Sequence, residues 1–360
     1  MVVAVQTSLP SLEPISIVPE KCWNVSLAFG SRAVPKLIDE LNSGAGTDAE
    51  KLLTRQRALI ALADLFHAPD HTSRAIQIGI VPKLLLLLPS KDITTRQKTV
   101  EIFVILAGLA VGRNVLVETE ALKPISQLFN DEDLLVRHHA HTVFARATVD
   151  SQAVESILNH RLVPLIVAKI VSEKLECQVL GLQTLAQILR LGQKPRIPNH
   201  ALDCDALGSL TGLLTREQIA DIKIGAARCV MNLCFYSEGK ALACEGRTVP
   251  ALIELLGDNK SEVRAAAAGA LMSITISVEA KKFVVSEGAV PILSGLLSDK
   301  SEYVLLNVIK TITNCAEDYR GRFQLASCIP TLEELRKQYA DSPQISDAAK
   351  KAIQVISWRP

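Results

Sequence analysis

Residues 249–291 read VPALIELLGDNKSEVRAAAAGALMSITISVEAKKFVVSEGAVP, a stretch that begins and ends on the same Val-Pro pair, Val249-Pro250 and Val290-Pro291, 41 residues apart. An apolar run, Ala251-Leu252-Ile253-Glu254-Leu255-Leu256, follows the first pair and stops at a polar turn, Gly257-Asp258-Asn259-Lys260. Proline suits the first turn of a helix, where its missing N–H would have had no intrahelical partner. Glycine relieves the backbone where a helix ends. A longer segment comes next, in which Val263, Ala267, Leu271 and Ile274 recur at i, i+4, i+8 and i+11, one apolar face of a 3.6-residue helix. The unit closes on Glu287-Gly288 before the next Val-Pro mark. Such a unit cannot bury its apolar face alone, but a stack of them can.

The same mark recurs at Val34-Pro35, Val81-Pro82, Val163-Pro164 and Ile329-Pro330, comes one residue late at Lys123-Pro124, and is replaced by Leu207-Gly208 in the fifth unit. A second marker ends each long segment: Asp64, Ile105, Arg146, Gln187, Asn232, Ser273 and Asn314, in steps of 41 residues with one step of 45 between Gln187 and Asn232. That period predicts an all-α solenoid over residues 31–360, with seven full repeats and a truncated eighth opening at Ile329. Residues 1–30, with Pro10, Pro14 and Pro19 and no helical period, read as an extended arm. Residues 44–48 and 193–199 read as surface loops, the second accounting for the long step.

Composition agrees with stacked helices. The hydrophobic share of 48% supplies a continuous core, and aromatics at only 4% leave its packing to Leu, Ile, Val and Ala. A net charge of +1 gives no overall field for nucleic acid or an anionic membrane. The longest uncharged apolar stretches, within residues 102–112 and 265–278, fall short of a membrane span. No basic residue precedes Lys21, so residues 1–20 read neither as a secretory signal nor as a transit peptide. None of the eight cysteines forms a CxxC pair, and Cys177, Cys229, Cys234 and Cys315 sit in helical patterns, as buried reduced thiols do. No phosphate-binding GxxxxGK[ST] loop, HExxH helix or GxSxG elbow occurs, so neither an enzyme nor a cofactor site is expected. His138 and His141 lack a third ligand at helical spacing, and Pro69 separates His67 from His71, so no metal is expected either.

The Val-Pro mark, the Leu-rich helix, the polar turn and the Arg-led, Ala-rich helix, seen in Glu287-Gly288-Ala289-Val290-Pro291 and Val230-Met231-Asn232-Leu233, resemble the armadillo repeat. The resemblance covers Ala33 to the C-terminus and implies an armadillo-repeat right-handed superhelical solenoid. It further implies that the long helices line a concave groove in which a polar ladder residue, often Asn, holds the backbone of an extended partner. Asn232 and Asn314 match that position, Gln187 and Ser273 are weaker stand-ins, and Asp64, Ile105 and Arg146 depart from it.

At ~100° per residue, Ser273 lies about 110° from the centre of its helix's apolar face and is expected to point outward. Residues four and seven earlier share that stripe: Ile60, Glu101, Thr142, Gln183, Arg228, Gly269 and Lys310, then Arg57, Lys98, His139, Leu180, Gly225, Ala266 and Asn307. With the ladder, the cations Arg57, Lys98, Arg146, Arg228 and Lys310 outnumber Asp64 and Glu101, and the face is expected to take an acidic or polar segment. Gly225, Ala266 and Gly269 leave either a gap for a bulky side chain or room for close helix packing. A second row, Arg55, Arg96, Arg137, Lys223 and Arg264, lies nine residues before five ladder positions and is expected to bond turn carbonyls or a neighbouring repeat's carboxylate.

A narrower resemblance is to armadillo subunits of the radial spokes of motile cilia. It rests on residues 28–37 (AFGSRAVPKL), 53–59 (LTRQRAL), 267–272 (AAGALM) and 353–360 (IQVISWRP). It implies a non-catalytic scaffold in the axoneme of a cilium or flagellum, made in the cytoplasm, whose partners are other spoke subunits of stalk, neck or head, with no nucleic acid, membrane or small-molecule substrate. The importin-alpha class differs, because it pairs each ladder Asn with a Trp four residues earlier. Here Arg228 and Lys310 stand at those places, and the two tryptophans, Trp23 and Trp358, lie near the termini. A cytosolic adaptor binding an acidic or polar segment is the alternative. Trp358 is expected to seal the last repeat.

Overall fold

The structure, a computed structural model, describes residues 32–41, 46–191, 201–215 and 217–359. The extended arm expected over residues 1–30 and the loop expected at 193–199 lie outside the described residues. Every Val-Pro mark falls in the first turn of a helix: Ala33–Glu40, Ile80–Leu85, Val163–Ser172, Thr248–Leu255, Ala289–Gly295 and Ile329–Gln338, with Leu122–Gln127 at the late mark and Ala206–Gly212 at its replacement. Each is followed by a long helix. The eight are Asp48–Leu65, Ile93–Gly108, Leu134–Ala147, Leu175–Leu191, Ala220–Leu233, Ser261–Ile274, Glu302–Cys315 and Pro343–Ser357. Short helices such as Ala110–Glu118, Ser237–Glu245, Val278–Ser286 and Tyr319–Leu325 then turn the chain into the next unit. Two of these turns end on a left-handed glycine, Gly79 and Gly288, both at φ 78°, a conformation that costs a side-chain-bearing residue about 1–2 kcal/mol.

Successive long helices pack side by side, so each apolar face is covered by the units before and after it. Val263, Ala267, Leu271 and Ile274 are all buried, as their spacing requires. So are Phe103, Phe129 and Phe144, which fill the second and third units. Each such side chain adds about 1.5–3 kcal/mol relative to exposure. No described helix is by itself long and apolar enough to cross a membrane.

Two of the long helices start on aspartate caps. Asp92 accepts the Thr95 N–H at 2.7 Å and Asp133 that of Val136 at 3.0 Å. Each cap also accepts a bond from the preceding long helix, Gln56 to Asp92 and Gln97 to Asp133, both at 3.0 Å. Burial alone would raise the pKa of these two carboxyls, yet the donors, the glutamines first, hold both below the ordinary value. Residues 47 and 48 are corrected from loop to helix start: Thr47 and Glu50 form a reciprocal capping box at the head of Asp48–Leu65.

Cys177, Cys229, Cys234 and Cys315 are buried and unpaired. Burial pushes the Cys177 thiol up to about 11 and those of Cys234 and Cys315 to about 12, which removes the reactive thiolate at neutral pH.

Candidate protein-binding site

The row at the start of the long helices does what its spacing predicts. Arg96 forms a fork on Asp131, Nε to Oδ2 at 2.7 Å and Nη2 to Oδ1 at 3.0 Å, while Nη1 donates to the Ser90 carbonyl at 2.8 Å. Arg137 bonds the Asp131 carbonyl at 2.8 Å and Glu173 at 3.1 Å, and Arg264 bonds the Asp258 carbonyl at 2.9 Å and Asp299 at 2.7 Å. Lys223 pairs with Asp258, and Arg55 donates to the Leu41 carbonyl. Arg96, Arg137, Lys223 and Arg264 thus each bind a carboxylate in the turn of the next unit, and all but Lys223 also bond a carbonyl of their own turn. This edge is a clasp between repeats.

A second clasp went unread in the sequence. Lys240, Lys281 and Arg322 follow one another at 41-residue steps on the short helices, with Arg113 in the same place earlier, and that spacing was its signal. Arg113 pairs with Asp150 and Lys281 with Glu317, each in the following unit. Lys240 donates to the Phe235 carbonyl at 3.0 Å. Gly112 and Gly239 stand beside two of these cations, where a β-carbon would meet the carbonyl oxygens of Leu106 and Leu233 at 1.9 and 2.2 Å.

The ladder itself is stitched to the scaffold. Asn232 Nδ2 donates to the Ala186 carbonyl at 3.0 Å, and Asn314 Nδ2 to the Met272 carbonyl at 3.2 Å. Arg146 Nη1 donates to the Val104 carbonyl at 2.9 Å. In each case the acceptor is the residue just before the previous unit's ladder position. Asn307 reaches the Ala265 carbonyl at 2.9 Å and Thr311 the Ala268 carbonyl at 3.1 Å by the same route. Asn314 Nδ2 also donates to Thr275 Oγ1 at 3.2 Å, so its amide leaves only the oxygen for a partner, while Asn232 and Asn307 keep one N–H as well.

Two outward expectations are corrected. Ser273 is only 6% exposed, and Gly269 on the same stripe is buried. The Ala-rich helix lets its neighbours close over it: a β-carbon on Gly269 would lie 3.2 Å from Asn307 Nδ2 and 3.3 Å from Met231 Sδ. At Gly225 it would lie 2.9 Å from Leu182 Cβ. At Gly269 the small residue serves close packing, whereas Gly225 both packs on Leu182 and lines an open depression.

The rest of the predicted face is open. Asp64, Arg146, Arg228 and Lys310 are exposed, and Arg57, Lys98, Glu101, Gln187, Asn232, Asn307 and Asn314 are half-buried. Lys98 and Glu101 pair with each other at 2.8 Å and cancel. Among the residues predicted from the sequence, Arg57, Arg146, Arg228 and Lys310 then stand against Asp64, an excess of three positive charges. Burial lowers the pKa of His139, with Glu101 acting against it.

Two depressions interrupt this surface. One of about 510 Å³ lies between Leu175–Leu191 and Ala220–Leu233, with Val179, Leu182, Ile224 and Met231 beside Arg190, Arg228 and Asp221. The other, about 460 Å³, is lined by Met272, Ile276, Asn314 and Ala348 with Lys310, Lys351 and Asp347. Arg190 and Lys351 were not among the predicted residues, because they lie off the ladder register. Arg190 donates to Gln187 Oε1 through Nε at 3.0 Å and Nη2 at 2.8 Å.

Comparison with known proteins agrees with this geometry. An Armadillo/beta-catenin-like repeat matches residues 277–317 and a HEAT repeat residues 248–278. The crystal structure of an engineered protein is similar with a TM-score of 0.79 at 23% identity, covering 90% of this chain and 78% of that one. A second engineered protein gives a TM-score of 0.61 at 25% identity over 65% of this chain and 96% of the other. A designed armadillo repeat protein in complex with the peptide (KR)4 gives 0.61 at 20% identity, over 65% of this chain and 99% of the design. The chain folds as an all-α repeat solenoid, within which residues 248–317 match the armadillo and HEAT repeat models.

Proposed function

We propose that this solenoid is a non-catalytic scaffold subunit of the axonemal radial spoke, holding neighbouring stalk, neck or head subunits and so supporting ciliary and flagellar motility. One observation carries the reading: residues 28–37, 53–59, 267–272 and 353–360 resemble radial spoke head protein 14 in matching order at both ends of the chain. A scaffold under repeated mechanical load is served by ties between repeats, and Arg96, Arg137, Lys223, Arg264 and Lys281 each bind a carboxylate of the following unit. Tagging the endogenous protein in ciliated cells tests the assignment. The expected signal runs along axonemes and stays with them after detergent extraction. Cytosolic or nuclear signal without axonemes refutes it.

The second reading, a cytosolic adaptor that binds an acidic or polar segment, is favoured by the four open cations of the concave face. The designed relative carries a basic peptide, (KR)4. Arg228 and Lys310 suit the opposite charge. Reversing Arg146 and Arg228 to Glu weakens the binding of an acidic segment, and unchanged binding sinks this reading.

A further inference from the structure

The last short helix, Tyr319–Leu325, departs from a pairing that two earlier units make. Arg113 and Lys281 each pair with a carboxylate of the following unit. Arg322 stands in the same register, but the unit that follows it carries Trp358, not a carboxylate, at the matching place. Its Nε donates to the Ala316 carbonyl at 2.9 Å, Nη2 to that of Glu317 at 3.2 Å and Nη1 to that of Trp358 at 3.4 Å, and its guanidinium lies 4.6 Å from the centre of the Trp358 ring. Trp358 stands 36 residues on from Arg322, as Glu317 does from Lys281. The tryptophan therefore fills the carboxylate's place. It does not seal the last repeat's core as expected, since it remains 55% exposed.

Around it the surface is unusually aromatic. Tyr319 and Phe323, four residues apart on the helix, are 68% and 85% exposed. Among the described residues five Phe, Tyr or Trp side chains are exposed, and three of them are here; the others are Phe235 and Tyr303. Arg320 lies 5.5 Å from the Tyr319 ring centre and donates to its hydroxyl at 2.8 Å. Exposed apolar surface rimmed by charge marks an interaction site, and Trp, Tyr and Arg are the residues that dominate interface energetics. The nearby carboxylates are already engaged: Glu317 pairs with Lys281, and Asp318 caps the helix through the Arg320 and Gly321 N–H groups. Arg320, Arg322 and the exposed Arg359 leave the corner positive.

We propose that this corner docks an acidic segment of a partner protein that carries a large apolar side chain. A partner carboxylate sits beside Arg320 and Arg322, supplying the negative charge that Trp358 lacks, and the apolar side chain lies on Tyr319 and Phe323. The site is on the short-helix edge, apart from the concave stripe, and stands whether or not that stripe binds anything.

Random linear peptides displayed on phage, selected on the full-length protein and counter-selected on a Tyr319→Ser/Phe323→Ser variant, test this. Both side chains are exposed, so the variant keeps its melting curve. The expected peptides place Asp or Glu next to Leu, Phe or Trp, and lose about tenfold or more in affinity on Phe323→Ser and on Arg320→Glu. They bind the Arg146→Glu/Arg228→Glu variant unchanged. Enrichment of basic or uncharged peptides, binding indifferent to Phe323 and Arg320, binding that follows the concave variant, or no enrichment over the counter-selected variant overturns the proposal.

Discussion

The first three long helices and the last four share a register, yet they are tied to their neighbours differently. In the first group the groove side contributes one such tie, from Arg146 to the Val104 carbonyl. In the second, Asn232, Asn307, Thr311 and Asn314 all reach across to the preceding helix. Small residues make this possible, because Gly225, Gly269 and the alanines between them let the helices approach within reach of a short amide. The difference teaches that a shared repeat position does not fix a shared task. An asparagine in the ladder is here first a staple and only with its spare atoms a reader of partners.

The largest expected effect tests what the two halves have in common. Replacing Arg96 by Leu leaves Asp131, whose side chain is 7% exposed, without its counter-charge, and Arg264→Leu does the same to Asp299 at 4%. Each is expected to cost about 3–5 kcal/mol. Because repeat stabilities are nearly local, hydrogen exchange should show the loss in the altered unit and its neighbours. A large loss in one half only would break the claim that the clasp is common to both.

Acid should separate the halves. All seven histidines precede residue 201, and His141, stacked on Phe129 with ring centres 4.0 Å apart, has its pKa pushed down by burial from 6.5 to about 4. The unfolded chain takes up that proton first, so stability is complete above pH 6.5 and falls as pH drops towards about 4. The loss amounts to about 3 kcal/mol. Melting curves across that range should show the first half loosening before the second, and His141→Leu should flatten the difference. A first half no more acid-sensitive than the second would contradict the buried neutral imidazole.

Smaller effects sharpen the contrast. Gly269→Leu should overpack the contact with Asn307 and Met231 and cost about 1–3 kcal/mol, while Thr142→Leu, in the same register but half-buried, stays within about 0.5 kcal/mol. Asn314→Ala removes bonds to the Met272 carbonyl and Thr275 Oγ1 and should cost about 0.5–1.5 kcal/mol by urea unfolding. Exposed Asp64→Ala should change little. Equal values for Asn314 and Asp64 would erase the distinction between staple and open ladder residue.

The repeat, the places where helices begin, the buried face of the helix Ser261–Ile274 and the use of the row from Arg55 to Arg264 were all legible in the sequence. All of these follow from local periodicity: 3.6 residues per turn within a helix and 41 per unit along the chain. Only the tertiary structure decided that Ser273 and Gly269 are covered, that Lys98 and Glu101 neutralise each other, and that Trp358 replaces a carboxylate beside Arg322. These outcomes depend on how closely two helices approach and at what angle, which is set by the summed volumes of side chains from different units. A helical wheel places a residue on a face of its own helix. What covers that face is decided by the neighbours.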